Sequence, residues 1–286
     1  MYSTRRTAVL LALTIAGAGS AAAQAQDLPT TQPTLITIYR ETVKPGRTEE
    51  HARLEAGWPA AYGRANSTDY YLGMASITGV PEAWFISPWA SHAAQGESMK
   101  RDDANPTLSA ELARLSRADA DLLDGIRVIQ AAARPDLSSG RYPDLARQRF
   151  WEISIFRVRP GHEQSFADAA KAYGAASQRA GSTTGYRVYE VIAGMVGPTY
   201  LIFSSVENYG DFDRMLADGM KTMQGFTPDE MTVLQKFSRE GMLSGESNRF
   251  RLDPRMSYVS AATRATDPAF WNPRPAARRT PTGGQD

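Results

Sequence analysis

The three histidines are the side chains of this 286-residue sequence best suited to moving protons or binding a metal ion. His51 shares a predicted helical stripe with Leu54 and Trp58, at spacings of three and four, so its imidazole is expected to be buried. A buried imidazole can bind haem iron or transfer a proton. His92 and His162 lie elsewhere, and no cluster of His, Asp and Glu with metal-ligand spacing accompanies any of the three. We therefore predict no metal centre and no resident cofactor.

Aromatic side chains are concentrated in the first part of the chain, where they could form the walls of a ligand pocket. Tyr39, Tyr71 and Trp84 lie on predicted strands. Aromatic walls with a few polar tips suit a planar or hydrophobic ligand, so these three and His51 are the predicted ligand-binding residues. The alternative is that all four only fill the core, as aromatics on strands and inner helix faces usually do. The sequence leaves both interpretations open.

The overall composition excludes several classes of protein. Lys and Arg number 32 against 31 Asp and Glu, so the net charge of +1 lacks the basic surplus of a nucleic-acid-binding protein. The apolar share of 42% is too high for a disordered chain, and the absence of cysteine excludes disulfide scaffolds and thiol catalysis. The sequence also has no nucleophile elbow, phosphate loop or dinucleotide fingerprint. A small molecule is therefore the expected partner, and nucleic acid is not.

Residues 1–25 are predicted to be a secretory signal peptide. Arg5 and Arg6 precede the apolar run 8–17, and Ala23-Gln24-Ala25 supplies the small residues that signal peptidase requires. The apolar run is too short to span a membrane, and no other segment is long enough. We therefore expect a periplasmic or secreted protein without a membrane span in the mature chain. The pair of arginines leaves twin-arginine export open beside the general secretory route.

The rest of the chain contains an internal repeat. Pro45 is matched by Pro160, an offset of 115 residues, and each proline belongs to a Pro-Gly turn that ends a β-branched and aromatic run. At the same offset His51 is matched by Phe166, which favours a packing role for this histidine. Arg40 and Arg157 recur at similar strand positions, and we expect them to form ion pairs between the two copies.

Each copy is predicted to fold as βαββαβ, a four-stranded antiparallel sheet with helices on one face. The copies span 34–138 and 148–262, with a linker at 139–147 and a disordered tail at 267–286. Because each sheet leaves one face uncovered, the two copies are expected to bury each other. The predicted fold class is α+β, with two tandem ferredoxin-like βαββαβ repeats packed as an intramolecular dimeric α/β barrel.

The residues at the two turns carry a resemblance to a known superfamily. A strand that ends in Val43-Lys44-Pro45-Gly46 or Val158-Arg159-Pro160-Gly161, followed by a helix with acidic residues at its start, resembles the dimeric α/β-barrel superfamily of ferredoxin-like domains. Members include the antibiotic-biosynthesis-monooxygenase type, the NIPSNAP type and the tandem-repeat haem proteins related to chlorite dismutase. The resemblance is specific for the fold and weak for function.

The function predicted first is the binding of a small hydrophobic or aromatic molecule in a pocket of the α/β barrel, by an exported soluble protein. The alternative that the resemblance implies is a cofactor-independent oxygenase or a haem-handling enzyme, so whether the protein is an enzyme stays open. Haem-related members carry a histidine on a late helix, and the segment 209–241 contains none, which favours the first function. The resemblance also allows a homodimer of these pseudo-dimers.

Overall fold

The computed structural model describes residues 27–273, and these residues form a closed barrel of eight strands with helices on its outer surface. The predicted signal peptide and the last part of the predicted tail lie outside the described residues. The strands are β1 (Leu35–Val43), β2 (Leu72–Ser76), β3 (Glu82–Trp89), β4 (Leu123–Ala133), β5 (Phe150–Val158), β6 (Arg187–Ala193), β7 (Thr199–Val206) and β8 (Met242–Leu252).

The helices connect the strands and cover the outside of the barrel. They are α1 (Thr48–Glu55), α2 (Gly57–Arg64), α3 (His92–Asp103), α4 (Pro106–Asp119), α5 (Glu163–Arg179), α6 (Asp211–Gln224), α7 (Pro228–Lys236), α8 (Ala261–Thr266) and α9 (Pro268–Trp271). Within residues 27–273, none of the helices combines the length and the apolar character that a membrane crossing requires.

The barrel consists of two halves with the same strand order. The complete order is β1-β3-β2-β8-β5-β7-β6-β4, so β1 lies between β3 and β4 just as β5 lies between β7 and β8. The halves meet at two antiparallel seams, β2 with β8 and β4 with β6. The predicted α+β barrel of antiparallel strands is therefore confirmed, while the origin of the halves as tandem ferredoxin-like repeats stays a prediction.

Alternate side chains of each strand fill the interior of the barrel, as the period of a β-strand requires. Ile36 and Ile38 of the first half belong to the same buried cluster as Ile153 and Ile155 of the second. The faces between these residues point outwards, where α1, α2 and α4 pack on the first half and α5 and α7 on the second. Each half thus covers the inner sheet face of the other.

The two Pro-Gly turns set the path from strand to helix. Gly46 has a φ of +80° and Gly161 a φ of +88°, in the left-handed region that glycine adopts without a Cβ penalty. Each turn reverses the direction of the chain at the end of β1 or β5. The helix that follows therefore packs on the outer face of the strand that precedes it. In the first half this turn brings α1 over β1.

The linker and the beginning of the tail pack against the barrel. Ser139 forms an isolated bridge with Tyr186, and Leu145 is buried. The prediction of a disordered tail from residue 267 is wrong at its start, because Pro268–Trp271 is helical and Trp271 is buried, with its N–H donating to the Ala146 carbonyl at 3.1 Å. Trp271 and the partly buried Phe270 supply this segment with the apolar area that it needs to dock.

Candidate functional site

The structure does not gather the four predicted ligand-binding residues into one place. Trp84 lies inside the barrel, while His51 and Tyr71 are buried on the outer side of the first half, beneath the helices. Tyr39 is 45% exposed. Their role in ligand binding stays a prediction, and no site on one face of the sheet could use all four, because Trp84 faces the interior while His51 and Tyr71 lie outside it.

Trp84 belongs to a closed set of polar contacts at the end of the barrel where β1 finishes. Its N–H donates to Glu82 Oε2 at 2.9 Å, and Arg40 Nη2 donates to Glu82 Oε1 at 2.7 Å while its guanidinium lies over the indole ring. The expected ion pair between halves is wrong for Arg40, because its strand neighbour β3 belongs to the same half. Arg157, which was expected to match it, is exposed. The structural counterpart of Arg40 is Ile155, because the bulges after Thr42 and after Arg157 fix an offset of 115 between the two strands.

His51 lies in a buried cluster of ionisable side chains that we call the His51 cluster: Glu41, His51, Glu55 and Asp119. Glu41 projects from the outer face of β1, His51 and Glu55 are one turn apart on α1, and Asp119 is the last residue of α4. Their exposed fractions are 6%, 1%, 3% and 3%. His51 Nε2 lies 2.9 Å from Glu41 Oε2, 3.5 Å from Asp119 Oδ1 and 3.9 Å from Glu55 Oε1.

Of the three carboxylates, only that of Glu41 forms a hydrogen bond with His51. Glu55 Oε1 and Asp119 Oδ1 are buried without a hydrogen-bond partner among the described residues. Burial, followed by the negative charges of Glu41 and Asp119, raises the pKa of Glu55 to about 10. Burial and the charge of Glu41 also raise the pKa of Asp119 to about 6, against the opposing effect of His51. Burial and the neighbouring carboxylates therefore favour the protonated form of Glu55, because its surroundings do not neutralise a further negative charge.

The expectation that no His, Asp and Glu cluster forms is therefore wrong. Its signal was present in the sequence, because at the offset of 115 Glu41 is matched by Phe156 and Glu55 by Ala170, as His51 is by Phe166. Three ionisable residues thus replace apolar ones in one region of one copy. Comparing the two copies does not reveal Asp119 as a member of the cluster. This residue ends α4, far along the chain from His51, and only the packing of α4 against α1 brings the two together.

The corresponding region of the second half is an apolar core. Phe166 stacks on Tyr200 with a centroid separation of 3.9 Å and meets Phe237 edge-on at 5.6 Å. Phe156 and Ala170 complete the same cluster. The barrel can therefore fill this position with hydrocarbon alone.

A cavity of about 470 Å³ opens at the end of the barrel where β1 and β5 begin, and we call it the barrel-end cavity. Its floor is formed by inward-facing strand residues, and its rim by the segments 28–33 and 141–148. Its lining includes the side chains of Tyr142, Trp151, Arg187, Tyr189 and Phe203. None of the four predicted ligand-binding residues lines it.

Trp151 and Arg187 are two buried polar features of this cavity, whose lining also includes charged side chains such as Asp144 and Glu207. The Trp151 N–H is buried without a hydrogen-bond partner among the described residues. Arg187 donates from Nη1 to the Ser139 carbonyl at 2.7 Å and from Nη2 to the Gly140 carbonyl at 2.8 Å, and burial lowers its pKa. Arg187 is the first residue of β6, and the linker carbonyls that cover it reach this place only because the chain folds back over the end of the barrel.

A second opening of about 580 Å³, which we call the outer groove, lies between the sheet and the helices of the second half. Phe156 and Tyr173 form part of its floor, and Met215, Met220 and Met223 of α6 line one side. Met220 is largely exposed. Flexible thioethers beside aromatic rings suit an apolar ligand of variable shape.

Comparison with known proteins supports the fold. No protein-family model matches the sequence, and no curated protein matches it significantly. Among solved structures, the chain is similar to a predicted monooxygenase from Fusobacterium nucleatum subsp. nucleatum, with a TM-score of 0.51 and 8% identity over 76% of this chain and 91% of that one. The shared feature is the dimeric α/β-barrel fold.

Two further solved structures are similar at lower scores. A heme-binding protein from Thermus thermophilus has a TM-score of 0.43 and 11% identity over 79% of this chain and 95% of its own. A mutant chlorite dismutase from Candidatus Nitrospira defluvii has a TM-score of 0.45 and 9% identity over 77% and 92%.

Proposed function

We propose that this protein binds a small, mainly apolar molecule with a hydrogen-bond acceptor in the barrel-end cavity. The observation that carries the proposal is the buried Trp151 N–H, which has no partner in the described chain although its indole lines the cavity. Buried donors in folded proteins are nearly always paired. An acceptor brought by a ligand would complete this one.

The walls of the cavity define the class of ligand. Its volume of about 470 Å³ lies within the range of small-molecule sites. Trp151 and Tyr189 both meet Phe203 edge-on, at 6.4 and 5.7 Å, so ring faces are available on more than one side. Arg187 adds a positive charge whose described hydrogen bonds go to carbonyl oxygens. An aromatic or alicyclic carboxylate or ketone fits this combination.

The test is a thermal-shift and calorimetric screen with a matched set: naphthalene, 2-acetylnaphthalene and 2-naphthoic acid. We expect the ketone or the acid to bind more tightly than the hydrocarbon. Trp151→Phe removes the N–H but keeps an aromatic ring, and it should weaken binding roughly 3- to 10-fold, the range of one neutral hydrogen bond.

Trp89→Phe is the matched control, because the Trp89 N–H is already paired with Thr37 Oγ1 and this residue does not line the cavity. It should leave binding unchanged. The proposal fails if no compound in the set raises the melting temperature, or if both variants bind as the natural protein does.

A second candidate is an oxygenase-like or haem-handling activity in the outer groove, and the apolar, methionine-lined opening of about 580 Å³ favours it. Haem added to the protein would then give a Soret band near about 400 nm, or a phenolic substrate would start oxygen consumption. Met220→Lys would place a charge in the groove and abolish either response. Met99→Lys is the control, since Met99 is equally exposed on α3 of the other half. The absence of both responses would exclude this candidate.

We also infer that residues 1–25 direct export and are removed. The supporting pattern is the basic pair, the short apolar run and the small residues before Gln26. Amino-terminal sequencing of protein recovered from the periplasm or medium should then begin at Gln26. An intact Met1 on protein retained in the cytoplasm would contradict this inference.

We infer further that the two halves are tandem copies of one ferredoxin-like unit of the antibiotic-biosynthesis-monooxygenase or NIPSNAP type. The equal strand order and the left-handed glycines of the two Pro-Gly turns support it. In a crystal structure, residues 34–138 should superpose on 148–262 with Gly46 on Gly161. A best superposition in another register would contradict a tandem origin.

A further inference from the structure

We propose that Glu41, His51, Glu55 and Asp119 form a binding site for a divalent first-row metal ion, with Zn²⁺ as the best fit. This site is separate from the barrel-end cavity, because it lies outside the barrel between β1, α1 and α4. Each residue offers one donor atom, and the four donors lie within 4.8 Å of one another.

The distances suit a four-coordinate ion. With bonds of about 2.0–2.1 Å to nitrogen and oxygen, the donors of a tetrahedral site lie about 3.3 Å apart. The three carboxylate oxygens lie 2.9, 3.5 and 3.9 Å from His51 Nε2, on both sides of that value. Small rotamer changes of Glu55 and Asp119 would bring the set to bonding distance.

Two carboxylate oxygens of the cluster that lack a hydrogen-bond partner among the described residues also point to a bound ligand. Glu55 Oε1 and Asp119 Oδ1 are fully buried, and both lie within 3.9 Å of the same imidazole nitrogen that Glu41 contacts. An ordinary polar core would pair such atoms with donors. A cation between them would satisfy both oxygens and neutralise the ionised carboxylates that bind it.

The mixed donor set narrows the kind of ion. Carboxylates alone would suit Mg²⁺ or Ca²⁺, but these ions need six or more oxygen ligands and usually retain water. One imidazole and three carboxylates in a dry site favour Zn²⁺, with Mn²⁺ and Fe²⁺ as the next candidates. Three carboxylates also give the site enough negative charge to hold a divalent ion.

Comparison with the second half indicates that the fold itself does not require these residues. In the matching places it has Phe156, Phe166 and Ala170, which pack as hydrocarbon. Packing of α1 onto the sheet therefore does not explain why the first half has buried ionisable residues at these three places. Because the His51 cluster is buried, an ion would enter during folding rather than by exchange into the finished protein.

The experiment uses the untagged full chain, since a polyhistidine tag would bind metal by itself. The protein is unfolded in guanidinium with EDTA, freed of chelator, and refolded with Zn²⁺, Mn²⁺ or no metal. Plasma mass spectrometry after gel filtration should find one Zn²⁺ per chain, and the melting temperature should rise by about 5–10 °C at a hundredfold excess over Kd. Co²⁺ in place of Zn²⁺ should give the strong visible absorption of a tetrahedral site.

Two variants and a control complete the test. Glu55→Gln keeps the shape but removes a charged donor, and His51→Gln removes the nitrogen donor; both should lose the bound ion and the thermal shift. His162→Gln removes an imidazole at the start of α5 in the other half and should keep both. Glu55→Gln keeps the size and shape of the side chain, so it is expected to fold even if His51→Gln does not.

The proposal is overturned if the refolded natural protein holds no stoichiometric ion with any of the metals. It is equally overturned if Glu55→Gln binds as much metal as the natural protein, because the ion would then lie elsewhere.

Discussion

On the outer face of each half, one helix packs over one strand: α1 over β1 and α5 over β5. The contact is ionisable in the first half and apolar in the second. Over β1, the contact holds Glu41 and Glu55 around His51, and two buried oxygens, one each from Glu55 and Asp119, have no partner within residues 27–273. Over β5, it holds Phe156 and Phe166, with a ring stacked on Tyr200. Both solutions close a helix onto the outer face of a β-sheet that ends in a Pro-Gly turn.

This difference shows which of the two contacts the fold requires for its stability. An aromatic core at this position stabilises the protein by burying apolar area at about 25 cal/mol per Å². Buried carboxylates cost free energy unless something compensates them. The second half therefore shows the structural solution, and the first half departs from it at a cost that a bound cation would offset.

The largest effect is expected when the second half is given the central residue of the first. Phe166→His loses the stacking on Tyr200 and the contact with Phe237, and its imidazole finds no carboxylate at the places of Phe156 and Ala170. Urea denaturation should show a loss of about 3–5 kcal/mol in the free energy of unfolding. A loss below about 1 kcal/mol would mean that this position accepts a polar ring without partners, and the contrast between the halves would disappear.

The reverse exchange gives the first half an apolar core. A variant with Glu41→Phe, His51→Phe, Glu55→Ala and Asp119→Leu removes every buried ionisable group of the His51 cluster. In EDTA it should be more stable than the natural protein by about 1–4 kcal/mol, as when buried ionic groups are replaced by packed hydrocarbon. It should show no response to Zn²⁺. A variant that unfolds more easily in EDTA would show that the cluster stabilises the fold without metal.

A smaller effect concerns the pH dependence of the metal-free protein. The pKa of Glu55 is raised from 4.5 to about 10, so the folded state binds a proton that the unfolded state releases above its ordinary pKa. The contribution is fully favourable below about pH 4.5 and is lost as the pH rises towards 10. In EDTA, stability should fall by about 1 kcal/mol per unit between pH 6 and 8.

Glu55→Gln isolates this group, because it keeps the shape of the side chain and removes only its ionisable carboxyl. The variant should flatten the decline over the same range, measured by urea denaturation at each pH. Parallel curves for the two proteins would show that Glu55 is already ionised at pH 6 and is not the source of the pH dependence.

The barrel was predictable because it depends on a periodic pattern that recurs. The strands that end at Pro45 and Pro160 and the helices behind them define the unit, and uncovered sheet faces have few ways to be buried. The burial of His51 followed from its helical stripe. Its partners did not, since Asp119 approaches it only through the packing of α4. The barrel-end cavity was hidden for a similar reason, because the linker residue Tyr142 and the strand residue Trp151 meet only when the chain folds back over the barrel.

The two seams of the barrel also decide when this chain can fold during its synthesis. β2 pairs with β8 through Met74 and Leu252, so the strand completed among the first finds its partner only in the last strand made. β4 likewise waits for β6. Until the second half emerges from the ribosome, the first half exposes two unpaired strand edges and one bare apolar sheet face, which are the surfaces that aggregate most readily. A chain of this design depends on being kept from other chains until its synthesis is nearly complete.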